Sequence, residues 1–198
     1  MKAVRTRTGR RPGPTRTREA ILEAARAEFS RSGYDAATIR GIARRAGVDP
    51  ALVHHYFGTK EGVFAAAMEL PVNPAQLIPQ VLVGGTEGLG ERIVRTFLGV
   101  WEQKTSRAAA TALVRSAVTH EKAAAMLRGF VRGAILGPVA RTLELPDAEL
   151  RVSLASSQLV GMALLRYVIR VEPLASVDAE ALASVVAPTI QRYLTGDL

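Results

Sequence analysis

The chain has no cysteine, which excludes disulfides and thiolate metal sites. Aromatic residues make up only 5% of it, while the hydrophobic fraction is 48%. That content is mostly Ala, Leu and Val, the usage of packed helices and more than a disordered chain carries. Long hydrophobic runs are missing too. The most apolar helix-compatible stretch, Val152 to Leu165, has 14 residues between Arg151 and Arg166, and crossing a bilayer takes about 20. The N-terminal Met-Lys-Ala-Val-Arg-Thr-Arg-Thr-Gly has no apolar run behind its charges, so no secretory signal is expected. A soluble cytoplasmic protein with no membrane partner is the expectation. Histidine occurs three times, and Gly-x-Ser-x-Gly, His-Glu-x-x-His and phosphate-loop patterns are absent, which argues against an enzyme.

What the chain does have is misplaced charge. Of the net +8, all sits in residues 1–60, which hold thirteen Lys/Arg against five Asp/Glu; the remainder has thirteen of each. A solvated basic tail would explain this. So would a nucleic-acid-binding unit joined to a neutral body.

Residues 1–16 hold five arginines, two glycines and two prolines without periodicity, the pattern of a flexible basic arm. From Thr17, Ile21, Leu22, Ala25 and Phe29 recur at helical spacing, predicting a helix over 17–32 with Gly33 as its C-cap. Thr38 then caps a short helix with Ile39, Ile42, Ala43 and Ala46 inward, ended by Gly47. Asp49 caps the next, with Pro50 at its first position, where a missing N–H costs nothing. Val53, Tyr56 and Phe57 face inward, and Thr59 caps a fourth helix carrying Val63, Phe64 and Met68. Two short helices joined by about four residues containing a glycine form a helix-turn-helix pattern; an ordinary corner in a helical bundle is the alternative.

Residues 71–90 carry three prolines and four glycines, so they cannot be one long helix and read as a joint between domains. Helices are predicted over 90–103, 107–119 and 121–144, the last broken or kinked at Gly137-Pro138. Another runs over 147–169, apolar nearly all round, and a final one is capped by Asp178 and kinked by Pro188. A helix wet on no face lies between two partners: either inside one large bundle, or against copies in a second subunit.

The stretch "TIRGIARRAGVDPALVHHYFGTKEGVF" resembles the N-terminal helix-turn-helix of the TetR (tetracycline-repressor-like) family of bacterial transcription regulators. The resemblance covers residues 15–70: a Thr, Ile-Ala-x-x-Ala-Gly-Val, a short recognition helix, an aromatic pair ending in Phe, then Lys-Glu. "SSQLVGMALLRYVIRVEPLA" is similar, more weakly, to the segment before the final helix in many members. The resemblance implies an all-α fold of about nine helices: a flexible arm (1–16), a three-helix DNA-binding domain (17–70) and a helical ligand-binding and dimerisation domain (71–198). It also implies a homodimer formed through the last two helices, which binds pseudo-palindromic double-stranded operator DNA and is released by a small-molecule effector. No cofactor and no metal are implied.

On that frame Thr38 can place its hydroxyl and helix N–H groups on a phosphate. Arg40 is the candidate for a bidentate contact to guanine, with Arg44 next, while Arg45 reads as a phosphate or solvent residue. Pro50, Ala51, Leu52, His54 and His55 form the exposed side of the recognition helix. Lys60 matches the family's phosphate-binding lysine, and Arg5, Arg7, Arg10 and Arg11 can lie in a minor groove or along phosphates. The sequence departs from the family at Leu52, usually Ser or Thr, and at His54, usually Tyr. Phe97, Trp101, Met126, Phe130, Gln158 and Met162 are candidate pocket residues, and the lack of a charged cluster favours a largely apolar effector. A helical adaptor for protein partners and a metal sensor are the rival readings. Neighbours on a helix point about 100° apart, so His54 and His55 cannot comfortably chelate one ion.

Overall fold

The computed structural model describes residues 14–198, and among them the regular structure is helical throughout. The predicted basic arm lies outside the described residues except for 14–16, which already belong to a helix. That helix, α1 (Pro14–Ala36), is broken at Gly33, whose φ of 74° an L side chain rarely adopts. Ile21, Leu22, Ala25 and Phe29 are buried on its inner face. The expected caps are present in α2 (Ile39–Ala46), α3 (Pro50–Phe57) and α4 (Lys60–Ala67). Thr38 accepts from the Gly41 N–H, Asp49 from Ala51 and Thr59 from Gly62. Gly47 ends α2 in the left-handed conformation.

The 71–90 stretch contains a short helix of its own, α5 (Pro74–Leu82), capped by Asn73. Next come α6 (Leu89–Glu102) and α7 (Lys104–Thr119), which starts three residues before the predicted position and leaves only Gln103 between the two. His120 separates α7 from α8 (Glu121–Leu143). Gly137-Pro138 does not break α8. The helix widens to π geometry over Val131–Leu136, and the Gly137 N–H reaches back five residues to the Arg132 carbonyl. The wider turn absorbs the bond that Pro138 cannot donate. Then follow α9 (Ala148–Ile169) and α10 (Ala179–Thr195), the latter unbroken across Pro188.

The 14-residue apolar stretch is thus part of a 22-residue helix, and α8 has 23 residues; both are long and apolar enough to cross a membrane by length and composition. The inner face of α9 buries Val152, Ala155, Leu159, Met162 and Tyr167. Its outer face is not covered within the single chain, where Leu150, Val160, Leu165, Val168 and Ile169 are exposed, as is Val185 of α10, so the alternative of a helix buried inside one bundle does not hold.

Two apolar cores result. One joins α1–α4 with Phe130 and Ala134 of α8; the other gathers α5, α6, α9, α10 and the end of α8. In the second, Arg166 is buried: it donates at 2.7 Å to the carbonyls of both Leu174 and Val177 and at 3.0 Å to Glu102. Glu102 also accepts from the Tyr167 hydroxyl at 2.8 Å. Burial, and then the Glu102 carboxylate, push the Tyr167 phenol up to about 12 against the opposing pull of Arg166. One guanidinium therefore ties the 170–178 connection to both α6 and α9.

The tightest helix pair is α6 on α10. A Cβ at Gly90 would lie 2.6 Å from the Gln191 nitrogen and 2.8 Å from the Ala187 carbonyl, both backbone. Gly90→Val should force the two helices apart at a cost of roughly 1–3 kcal/mol. Thermal denaturation checks this; a melting temperature within a degree or so of the parent would show that the pair has slack.

Candidate nucleic-acid interface

The geometry of α2 and α3 follows from their caps. Gly47 reverses the chain after α2, Asp49 restarts it, and Val53 plugs into the core beside Ile42 and Ala43. What remains outside is the surface of interest. Arg40, Arg44, Ala51, Leu52, His54 and His55 are exposed, and Pro50 is half-buried. Among the described residues neither Arg40 nor Arg44 enters an ion pair. Thr38 is exposed at the start of α2; its oxygen accepts from Gly41 and its O–H stays available to donate.

Arg45 differs from the expectation of a solvent or phosphate residue. Its Nε bonds Glu28 at 3.2 Å, and Arg31 bonds the same carboxylate at 2.9 Å. Glu28 is buried on the inner face of α1. Burial alone would raise its carboxyl, but the hydrogen bonds from Arg31 and Arg45 outweigh that and hold it below the usual value. The signal for this was present in the sequence: Glu28 falls on the apolar side set by Ile21, Ala25 and Phe29, where a carboxylate needs a cation.

Lys60 is also partly committed inward. Its ammonium donates to the Asp35 carbonyl at 3.0 Å and lies 4.5 Å from the centre of the Tyr34 ring. Burial pushes it below the ordinary lysine value, against Asp35 and Glu61. Two ammonium protons remain. His54 is fixed at one end: its Nδ1 lies 2.7 Å from the Gly58 carbonyl. A carbonyl only accepts, so Nδ1 carries a proton and Nε2 faces away. His55 packs edge-on against Tyr56. His120 is a helix-end residue, its Nδ1 2.8 Å from Thr119 Oγ1.

The predicted pocket residues do not gather around one cavity. Phe97, Trp101 and Met162 belong to the second core, where Trp101 stacks on Tyr167 at 5.5 Å. Gln158 is exposed and shares with Met162, Leu165 and Leu182 a groove between α9 and α10. Met126 and Phe130 pack apart from the others, in the first core, Phe130 stacking 4.5 Å from Phe64 and edge-on 5.5 Å from Tyr34. The reason is the length of α8, whose first half docks on α1 and whose second half faces the body.

Comparison with known proteins gives two family matches along the chain. Residues 21–67 match the family described as bacterial regulatory proteins, tetR family, and residues 87–194 the tetracyclin repressor-like C-terminal domain. The chain belongs to the TetR family. A TetR-family regulator from Streptomyces coelicolor A3 is 42% identical, with 94% of this chain and 99% of that one covered and a TM-score of 0.47. The transcriptional regulator BetI of Brucella anthropi is 40% identical over 80 residues, 40% of this chain and 41% of that protein. The transcriptional repressor AcnR of Corynebacterium glutamicum is 42% identical over 53 residues, 27% of this chain and 28% of that one. The chain therefore spans about two-fifths or less of these curated relatives. TetR-family proteins are transcriptional regulators rather than enzymes.

Because Glu28 is ionised more readily in the folded chain than in the unfolded one, it stabilises the fold fully above the reference glutamate value of about 4.3. That contribution is lost as pH falls through its lower folded value. Glu28→Gln should flatten part of the acid limb of stability between about pH 5 and 3. Melting curves of both forms across that range test this; parallel acid limbs would mean the arginines leave Glu28 energetically idle.

Proposed function

We propose that this TetR-family protein is a cytoplasmic repressor that binds a pseudo-palindromic operator as a homodimer and leaves it when a small, largely apolar molecule binds. Residues 17–70 read DNA, and 71–198 bind the effector and the second subunit. The observation that carries the reading is the exposed face of α2 and α3, where Arg40 and Arg44 stand without ion-pair partners among the described residues. Two such faces related by a two-fold would enter successive major grooves about 34–36 Å apart. The exposed apolar sides of α9 and α10 support pairing with a second copy. With Arg166 and its partner Glu102 on its inner side, α9 suits a protein neighbour better than lipid. The groove holding Gln158 and Met162, and the Phe97–Trp101–Tyr167 cluster beneath it, are the candidate effector region.

Arg40 is assigned a base contact and Arg44 the adjacent one, Ala51 and Leu52 apolar contact with thymine methyls, and Thr38 and Lys60 phosphates. Pro50 and His55 flank the contact.

The deciding experiment is a gel shift on the DNA upstream of the protein's own coding sequence. A salt-dependent, sequence-specific shift is expected, and its absence would sink the regulator reading. Within it, Arg40→Ala should cost roughly 1–3 kcal/mol against one base pair and relax selectivity there. Lys60→Ala should weaken all sequences alike and lower the salt slope by about one. Identical behaviour of the two variants on matched and mismatched operators would reverse the assignment.

His54 adds a pH dependence. With Nδ1–H held by Gly58, the neutral ring offers phosphate only the lone pair of Nε2; the cation offers an N–H. Arg18, His55 and Glu69 line the cleft beside it. DNA affinity should rise as pH falls from about 7.5 to 6. His54→Tyr should remove the rise and His55→Asn should keep it. A flat profile for the parent protein would reduce His54 to a helix cap.

A further inference from the structure

A groove separate from those described above lies between the middle of α8 and the first turns of α9. Its floor is apolar, formed by Val131, Leu136 and Ala140. On one rim stand Arg128 and Arg132, one helical turn apart; on the other, Glu149 and Ser153. Arg132 has no ion pair among the described residues, and Arg128 has only the exposed Glu121 at 3.5 Å, a weak surface pair. Like charges four residues apart on a helix repel, and an anion seated between them relieves that repulsion.

The groove floor is also where α8 departs from ordinary helical bonding. The π turn spans Val131–Leu136, and such turns are concentrated at functional positions. Its first residue follows Phe130 directly, and Phe130 is 2% exposed, wedged against Phe64 and Tyr34 of the DNA-binding unit. Gly129 and Gly133 allow that seat: a Cβ at either would lie 3.2–3.3 Å from Tyr34 atoms. Any shift of the π turn therefore moves a side chain packed in the core behind α2 and α3.

We infer that this groove binds a small organic anion with an apolar body, its charge at Arg128 and Arg132 and its body on the floor. Through Phe130, its occupancy changes DNA affinity. The binding half stands on the groove alone; the DNA half rests on the regulator reading above.

The probe is octanoate, titrated calorimetrically into the full chain, with octylammonium as the charge-reversed control. Octanoate should bind and octylammonium should not. Arg132→Glu should weaken octanoate roughly ten-fold or more. Ser153→Trp, at an exposed position, should block the groove, while Gln158→Trp in the other groove should leave binding unchanged. Octanoate binding that is absent, insensitive to both Arg132→Glu and Ser153→Trp, or lost in Gln158→Trp overturns the site. In a gel shift on the upstream DNA, octanoate should change the affinity of the parent protein. Phe130→Leu should bind octanoate normally and lose that response. Normal octanoate binding with unchanged DNA affinity in the parent overturns the coupling. A chain that never shifts DNA refutes the regulator reading, and the calorimetry still decides the site.

Discussion

The close seat of α8 on Tyr34 is the contact on which the rest of the architecture depends. Tyr34 follows the break at Gly33, so the chain leaves α1 at an angle that turns the ring inward, 4% exposed. It meets Phe29, Phe64 and Phe130 in one aromatic cluster. Glycine at 129 and 133 eases this approach, since a Cβ at either would lie 3.2–3.3 Å from Tyr34 atoms. With aromatic residues as scarce as they are here, concentrating four at one junction gives the small N-terminal unit a core that its own short helices could not supply. It also makes α8 a member of both cores.

Each core holds one buried charge, and the two act alike. Glu28 gathers Arg31 and Arg45 and so braces α2 against α1. Arg166 gathers Glu102 and two backbone carbonyls and so fixes the connection before α10. A buried ion is costly unless its partners are in place. These residues therefore contribute more to the uniqueness of the packing than to its strength. The result is a division among three basic residues of α2: Arg45 is paired with Glu28, while Arg40 and Arg44 enter no ion pair among the described residues.

The third helix, α3, shows the same economy. His54 ties its Nδ1 to the end of its own helix at Gly58, which orients the ring and decides which nitrogen faces outward. The neighbouring His55 packs on Tyr56 instead. Two adjacent histidines that look like a chemical pair in the sequence are separated by helix geometry into a cap and an aromatic contact.

Local signals were legible without the structure. Thr38, Gly47, Asp49 and Thr59 mark the ends of the short helices because capping is a contact over two or three residues. Gly33 marks the end of regular α1 for the same reason, and the apolar spacing of Ile21 to Phe29 marks its buried face. What the residues alone did not show was decided at long range. Pro138 reads as a break, yet tertiary packing carries α8 through it on a π turn. Met126 and Phe130 read as pocket lining because spacing reveals that a face is apolar, not which neighbour covers it. Lys60 and Arg45 read as free cations because the Asp35 carbonyl and Glu28 lie 25 and 17 residues away in the chain. Periodicity and caps are set by neighbours in sequence, so sequence alone determined most of the helices and their order, though not α5 within the proline- and glycine-rich 71–90 stretch. Which charges are spent inside and which remain for a partner depends on groups brought together only by folding, and that the tertiary structure decided.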